Sequence, residues 1–182
     1  MFSRTPRLLL RPGWVEDAPA LTRAIGQEAV VRNLAHAPWP YTLEDARDFL
    51  TLADDPQQPR FLVFARTGGA PRLVGGVGIG RDPDGAPEIG YWVERMSWGL
   101  GYATEASRAV LDIARAMDLG PLVAGHFLDN PASGRVLRKL GFRPTGRIVQ
   151  RHSRARGGPA AFAAYAEEGG VADLDMPRLR AA

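Results

Sequence analysis

The stretch "WGLGYATEA", Trp98 to Ala106, sets two glycines one residue apart at the head of an alanine-rich segment. The first turn of a helix leaves N–H groups without intrahelical acceptors. The helix dipole adds positive potential there, so the two together hold anions, a multiply charged phosphate most strongly. Glycine permits a close backbone approach, Ala103 keeps the helix end unobstructed, and Thr104 adds a hydroxyl donor. Glu105 is also ordinary in a first helical turn. The residues alone therefore leave two readings open: an anion site, or a helix start that is capped and nothing more.

The elements around the turn come from hydrophobic periodicity. "RLLLRP" (Arg7–Pro12) reads as a strand ended by proline, and "VEDAPALTRAIG" as a helix with acids in its opening turn. "HAPWPYT" is a proline-framed loop. Thr42 then caps "LEDARDFLTLA", where Leu43, Ala46, Phe49 and Leu50 share one face. "RFLVFAR", "RLVGGVGIG" and "EIGYWVE" are consecutive strands joined by the turns "TGGAP" and "DPDGAP", a β-meander. From Ala103 the apolar positions Ala106, Val110, Ile113 and Met117 step by three and four, which makes an amphipathic helix. "PLVAGHF" follows as a strand, "NPASGRVLRKLGF" as a helix ending at Gly141, and Phe142 opens another strand. A last strand is expected around Ala160–Ala166, with residues 169–182 as a loosely packed tail. This order predicts an α/β chain of the α+β type: one domain over residues 1–182, with a mixed sheet and helices packed on it.

Composition narrows the function classes. The 182 residues are 45% hydrophobic and 24% charged, as in a soluble globular chain. No apolar run approaches the roughly 18 residues a membrane span needs. The three-leucine run near the start is too short for a signal peptide, so the expected compartment is the cytoplasm. The absence of cysteine removes disulfides, thiolate metal sites and a cysteine nucleophile. The net charge of +3 is spread and interleaved with acids, which argues against a nucleic-acid partner. His36, His126 and His152 lie far apart with no metal-ligand spacing, so no metal is expected. The alternating Gly76, Gly78 and Gly80 sit within a strand instead of at a strand-to-helix turn. They read as room for a neighbour on one strand face, not as a nucleotide fingerprint.

The order meander, "WGLGYATEA", strand, "NPASGRVLRKLGF" resembles the GCN5-related N-acetyltransferases (GNAT superfamily). More narrowly it is similar to the RimJ/RimL-like branch that acetylates ribosomal-protein N-termini. The resemblance runs from "TPRLLLRP" to "LGFRPTG". It implies a mostly antiparallel sheet with splayed central strands, and acetyl-CoA as co-substrate. The family's phosphate pattern Q/R-x-x-G-x-G/A falls on Trp98, Gly101 and Ala103, with Trp98 replacing the usual Gln or Arg. The resemblance places the pyrophosphate on the N–H groups of Leu100, Gly101, Tyr102, Ala103 and Thr104. It places the pantetheine arm beside backbone at Trp92, Val93 and Glu94, with Asn130 contacting that arm. Asn130 is equally suited to cap the helix that Pro131 opens.

Transfer from a thioester to an amine needs a neutral amine, a stabilised oxyanion and a proton for the leaving thiolate. An α-amine titrates near 7.7–8.0, so a moderate base suffices. Glu88 is the best-placed carboxylate for that base and for contacting the acceptor, ahead of Glu94, Glu44 and Asp45. A backbone N–H near Val93 is expected to meet the oxyanion. Relatives carry a proton-donating tyrosine where this chain has Leu137, so Ser133, also beside the cofactor, is nominated to protonate or orient the thiol. Its other reading is a helix-start serine bonding to backbone. Trp39 and Tyr41 are expected to border the acceptor groove, and Arg147, Arg151, Arg154 and Arg156 either select an acidic acceptor or are solvated. The acceptor is expected to be a protein or peptide N-terminal α-amine. A small-molecule amine and a non-catalytic CoA-binding module are the alternatives, an RNA-binding domain is more distant, and a homodimer is left open.

Overall fold

One eight-stranded sheet organises the computed structural model, which describes residues 1–167, in the order β1-β2-β3-β4-β5-β6-β8-β7. The strands are β1 (Ser3–Arg4), β2 (Leu8–Arg11), β3 (Arg60–Ala65), β4 (Arg72–Arg81), β5 (Pro87–Val93), β6 (Val123–Phe127), β7 (Phe142–Ser153) and β8 (Gly158–Glu167). The helices are α1 (Ala18–Ile25), α2 (Glu28–Val31), α3 (Leu43–Thr51), α4 (Tyr102–Ala116) and α5 (Pro131–Lys139). The expected meander is β3-β4-β5, antiparallel throughout. Most neighbouring strands pair along their length. The parallel β5–β6 pair meets only at Glu88 and Val123, and beyond that point the two strands diverge into a V.

The period-2 alternation of the strands divides the core. Leu8, Leu10, Val77, Ile79 and Ile89 face α4 and α5, while Leu62, Phe64 and Leu73 face α1 and α3. α4 seats Ala106, Val110, Leu111 and Ala114 in the first layer. Its buried stripe is therefore centred beside the one its sequence suggests, with Ile113 only packed on the margin. Burying Val110 and Leu111 contributes roughly 1.5–3 kcal/mol each. α3 starts as expected: Thr42 accepts from the Asp45 N–H at 3.1 Å while the Asp45 carboxylate accepts from the Thr42 N–H at 2.8 Å. Its apolar face is another matter. Only Ala46 is buried, Leu50 is half-buried, and Leu43 and Phe49 remain exposed because α3 lies at the outer edge of its layer.

Gly76 shows why glycines interrupt β4: a Cβ there would stand 2.5 Å from the Trp92 indole Nε1. Gly76 does make room on one strand face; at Gly78 a Cβ would instead stand 2.8 Å from the Pro59 carbonyl oxygen, and Gly80 has open space. β8 confirms a last strand, two residues longer at its start than the pattern suggested. The expected tail at 169–182 lies outside the described residues. Among the described residues no helix is long and apolar enough to cross a membrane, and no cluster of three potential metal ligands occurs.

Candidate active site

β5 delivers the chain past Val93 into a short 3-10 turn (Arg95–Ser97), and two left-handed glycines then redirect it into α4. Gly99 has φ 79° and Gly101 φ 81°, a region that costs an L side chain about 1–2 kcal/mol. Gly101 is the N-cap of α4 and has no side chain with which to cap it. Among the described residues, no backbone N–H from Gly99 to Thr104 has a protein acceptor; the first helical bond runs from the Glu105 N–H to the Gly101 carbonyl at 3.1 Å. Such a row of N–H groups at one helix end is a ready anion site. A groove of about 960 Å³ leads away from Gly101 and Thr104 between β1 and the exposed face of α4, with Arg4, Arg108 and Lys139 along it.

The residues of the turn are not equivalent. The Tyr102 side chain is buried, with its hydroxyl 3.4 Å from Thr67 Oγ1, so it anchors α4 and offers the site only its N–H. Trp98, half-exposed, donates from Nε1 to the Val93 carbonyl at 2.7 Å. The Glu94 N–H donates to the Val74 carbonyl at 2.9 Å, so the backbone of Glu94 points to β4. Strand alternation then turns Trp92 the same way and leaves Tyr91 and Val93 facing the V. Of the segment Trp92–Glu94, only Val93 keeps the orientation expected of it. The Glu94 carboxylate is engaged with Arg72 and Ser97, and the Trp92 ring covers Gly76.

Glu88 stands at the closed end of the V. Arg151, from β7, grips its carboxylate with two hydrogen bonds of 3.0 and 3.1 Å and lies 4.6 Å from the centre of the Phe162 ring. Both side chains are largely withdrawn from water, at 18% and 13% exposure. Burial pushes the Glu88 carboxyl up and Arg151 pulls against it; the net position is above the ordinary carboxylate range. Removing Arg151 takes away the main opposition to burial, leaving only a smaller pull from His36, and raises that carboxyl further. A base that works as the carboxylate is lost as pH falls through its pKa. The acid limb of kcat/KM in Arg151→Met is therefore expected at higher pH than in the wild type, and a pH–rate profile checks it.

Across the V, the Tyr91 hydroxyl meets Ser133 at the start of α5, 2.8 Å from its Oγ and 3.0 Å from its carbonyl. Burial, first of all, pushes the Tyr91 phenol up to about 12. It is protonated at any working pH. Asn130 does cap α5, its Oδ1 accepting from the Ser133 N–H at 3.3 Å. Leu137 is fully buried, so no group from that position reaches the V.

The opposite side of Glu88 is walled by the 32–41 loop and the β7–β8 turn. The Ser153 hydroxyl donates to the Leu34 carbonyl at 2.7 Å and the Arg154 N–H to the Ala35 carbonyl at 2.9 Å. Asp129 accepts from Arg32 at 2.9 Å and from Arg156 at 2.8 Å. Arg151 and Arg156 are thus spent on carboxylates within the chain, which removes them as free selectors of an acidic acceptor. Trp39 remains exposed beside this wall, whereas Tyr41 packs on the α1–α3 layer, where burial, Asp45 and Asp48 raise its phenol to about 12.

Sequence reasoning missed Tyr91 and Arg7, and it read Arg151 as an acceptor selector or a solvated residue, not as the partner of Glu88. Tyr91 lay inside a recognised strand, but which face it took depended on the pleat. Arg151 and Arg7 reach their carboxylates across sequence separations of 63 and 98 residues, which no local pattern encodes.

A strand pair that opens toward a row of free N–H groups defines a site for an elongated ligand with a phosphate at one end and a reacting group at the other. Residues 7–143 match the family model described as an acetyltransferase (GNAT) domain. The chain is 27% identical over 160 residues to the uncharacterized N-acetyltransferase p20 of Bacillus licheniformis, covering 84% of this chain and 88% of that one. A GNAT-family acetyltransferase from Bacillus anthracis superposes with a TM-score of 0.75 at 25% identity, over 91% of this chain and 97% of that one. The ribosomal L7/L12 α-N-protein acetyltransferase RimL, solved with coenzyme A, superposes with a TM-score of 0.74 at 21% identity, over 92% and 97% of the two chains. The chain belongs to the GNAT acetyltransferase family, and is thereby an acetyl-CoA-dependent acyltransferase.

Proposed function

We propose that this chain, as a single domain in the cytoplasm, moves an acetyl group from acetyl-CoA to the α-amino group of a protein or peptide. The observation that carries the reading is the row of free N–H groups from Gly99 to Thr104 at the open end of the V. The likeness in fold to RimL, whose name specifies a protein α-amine, supports the acceptor class.

In this reading the N–H groups of Gly99–Thr104 take the pyrophosphate, and the groove with Arg4, Arg108 and Lys139 takes the adenosine end. The backbone of Tyr91 and Val93 lines the pantetheine arm. Glu88 removes the amine proton, directly or through one water, while Arg151 fixes its carboxylate. Strand rise separates Glu88 from Val93 by about 16 Å and from Tyr91 by about 10 Å. One acetyl group served by Glu88 therefore lies nearer the Tyr91 N–H, which takes over the oxyanion role expected near Val93. Ser133 gives its proton to the leaving thiolate and draws another from the Tyr91 hydroxyl 2.8 Å behind it.

Two measurements test this. Thiol release from acetyl-CoA with a panel of N-terminal peptides, amino acids and aminoglycosides is expected to select peptides; turnover confined to small amines would replace the acceptor class. In the same assay Ser133→Ala is expected to lower kcat roughly tenfold, and Ser133→Ala/Tyr91→Phe to lower it little further because Tyr91 acts through Ser133, with the KM for acetyl-CoA little changed. An effect on KM alone would reduce the pair to a binding role.

A further inference from the structure

Glu105 raises a problem of sign. It occupies the first turn of α4, next to the N–H groups from Gly99 to Thr104, and a bare carboxylate there would repel a phosphate. The chain meets this from its other end. Arg7 donates to Glu105 Oε2 through Nε at 2.7 Å, and its Nη2 stands 2.7 Å from the same oxygen as an ion pair. The Arg7 backbone N–H and the Thr5 hydroxyl donate to Oε1 at 3.0 and 2.6 Å. Burial alone would raise the Glu105 carboxyl, but the hydrogen bonds from Thr5 and Arg7 outweigh it and hold it below the ordinary range, so the charge is present whenever the protein works.

The same guanidinium reaches the turn itself. Its Nη1 donates to the Leu100 carbonyl at 2.9 Å, and its Nη2 lies 3.4 Å from where a Cβ on Gly101 would stand. The side chain is 41% exposed and lines the mouth of the groove with Gly101 and Thr104. Five N–H donors belong to a guanidinium, so hydrogens on Nη1 and Nη2 remain for a ligand after these bonds are made.

We propose that Arg7 is a binding and positioning residue of the CoA site: it cancels the Glu105 charge, secures the Leu100 carbonyl, and offers a remaining N–H to a phosphate oxygen. This rests on the acetyl-CoA reading. A clamp that merely joins the β1–β2 hairpin to α4 makes a different prediction. Breaking a clamp from either end weakens the site, whereas a charge balance is restored when both charges go.

The test is calorimetric titration of CoA into the full chain and four variants. Arg7→Met is expected to weaken CoA roughly tenfold to a hundredfold, the size of a lost charge-assisted contact. Glu105→Gln is expected to bind within about threefold of the wild type, and Arg7→Met/Glu105→Gln to bind more tightly than Arg7→Met. Arg7→Lys, which keeps the charge, is expected to bind more tightly than Arg7→Met, and it decides the matter against Glu105→Gln if Arg7→Met does not fold. A double variant as weak as Arg7→Met or weaker, or Arg7→Met indistinguishable from the wild type, overturns the role of Arg7. Wild-type protein that does not bind CoA overturns the donor reading itself, and this inference with it.

Discussion

Gly101→Val is expected to reduce CoA binding by at least about a thousandfold while leaving the fold intact. Two effects coincide at this position. Its φ of 81° is one that a β-branched residue adopts only under strain, so the turn must rearrange and the N–H groups lose their common direction. The new side chain points toward the Arg7 guanidinium, 3.4 Å from the Cβ, and disturbs the charge balance at the mouth of the groove. Each charge-assisted hydrogen bond lost to a phosphate costs about 1.5–3 kcal/mol, so the loss of about three from the row reaches the stated factor even at the low end. The fold is spared because Gly101 is exposed, and the α4 core from Ala106 to Ala114 stands clear of it. Calorimetry with CoA and circular dichroism check the two halves of the expectation separately.

The second large effect belongs to Glu88→Gln. The amide is isosteric but accepts no proton, and kcat/KM is expected to fall by roughly 10²–10⁴ at neutral pH. The loss should shrink as pH rises through about 8, because an α-amine then deprotonates without help. That convergence separates a missing base from a damaged site. Stability is also expected to drop, since Arg151 keeps its charge in a position only 13% exposed and loses its partner. Full activity retained across the pH range would remove Glu88 from the chemistry and leave the Glu88–Arg151 pair as the latch that closes the V.

The legible parts of this chain were those decided locally. The helix start at Gly101, the Thr42 cap, the meander and the helix after Asn130 follow from turn chemistry and periodicity within a few residues. Ser133 and Glu88 could be singled out because each sits at a recognisable element end. What escaped depends on how elements lie against one another. The register of β5 on β4, with the Glu94 N–H bonded to Val74, fixes which backbone groups meet the V, so Tyr91 takes the place expected of Trp92 and Glu94. The curl of β7 carries Arg151 to Glu88, and the β1–β2 hairpin carries Arg7 to Glu105; neither partner is marked in its own neighbourhood. The apolar face assigned to Leu43 and Phe49 failed for the same reason, since periodicity reports a stripe and not whether another layer covers it.

The most direct test of the account is an amide ¹H–¹⁵N correlation spectrum of the labelled protein, recorded as acetyl-CoA is added. The N–H resonances of Gly99, Leu100, Gly101, Tyr102, Ala103 and Thr104 should move together and downfield, as donors do on meeting phosphate oxygens, with Tyr91 and Val93 shifting in the same titration. Acetyl-CoA that leaves these resonances in place, or shifts a different set of amides, would contradict the assignment of this turn as the pyrophosphate cradle.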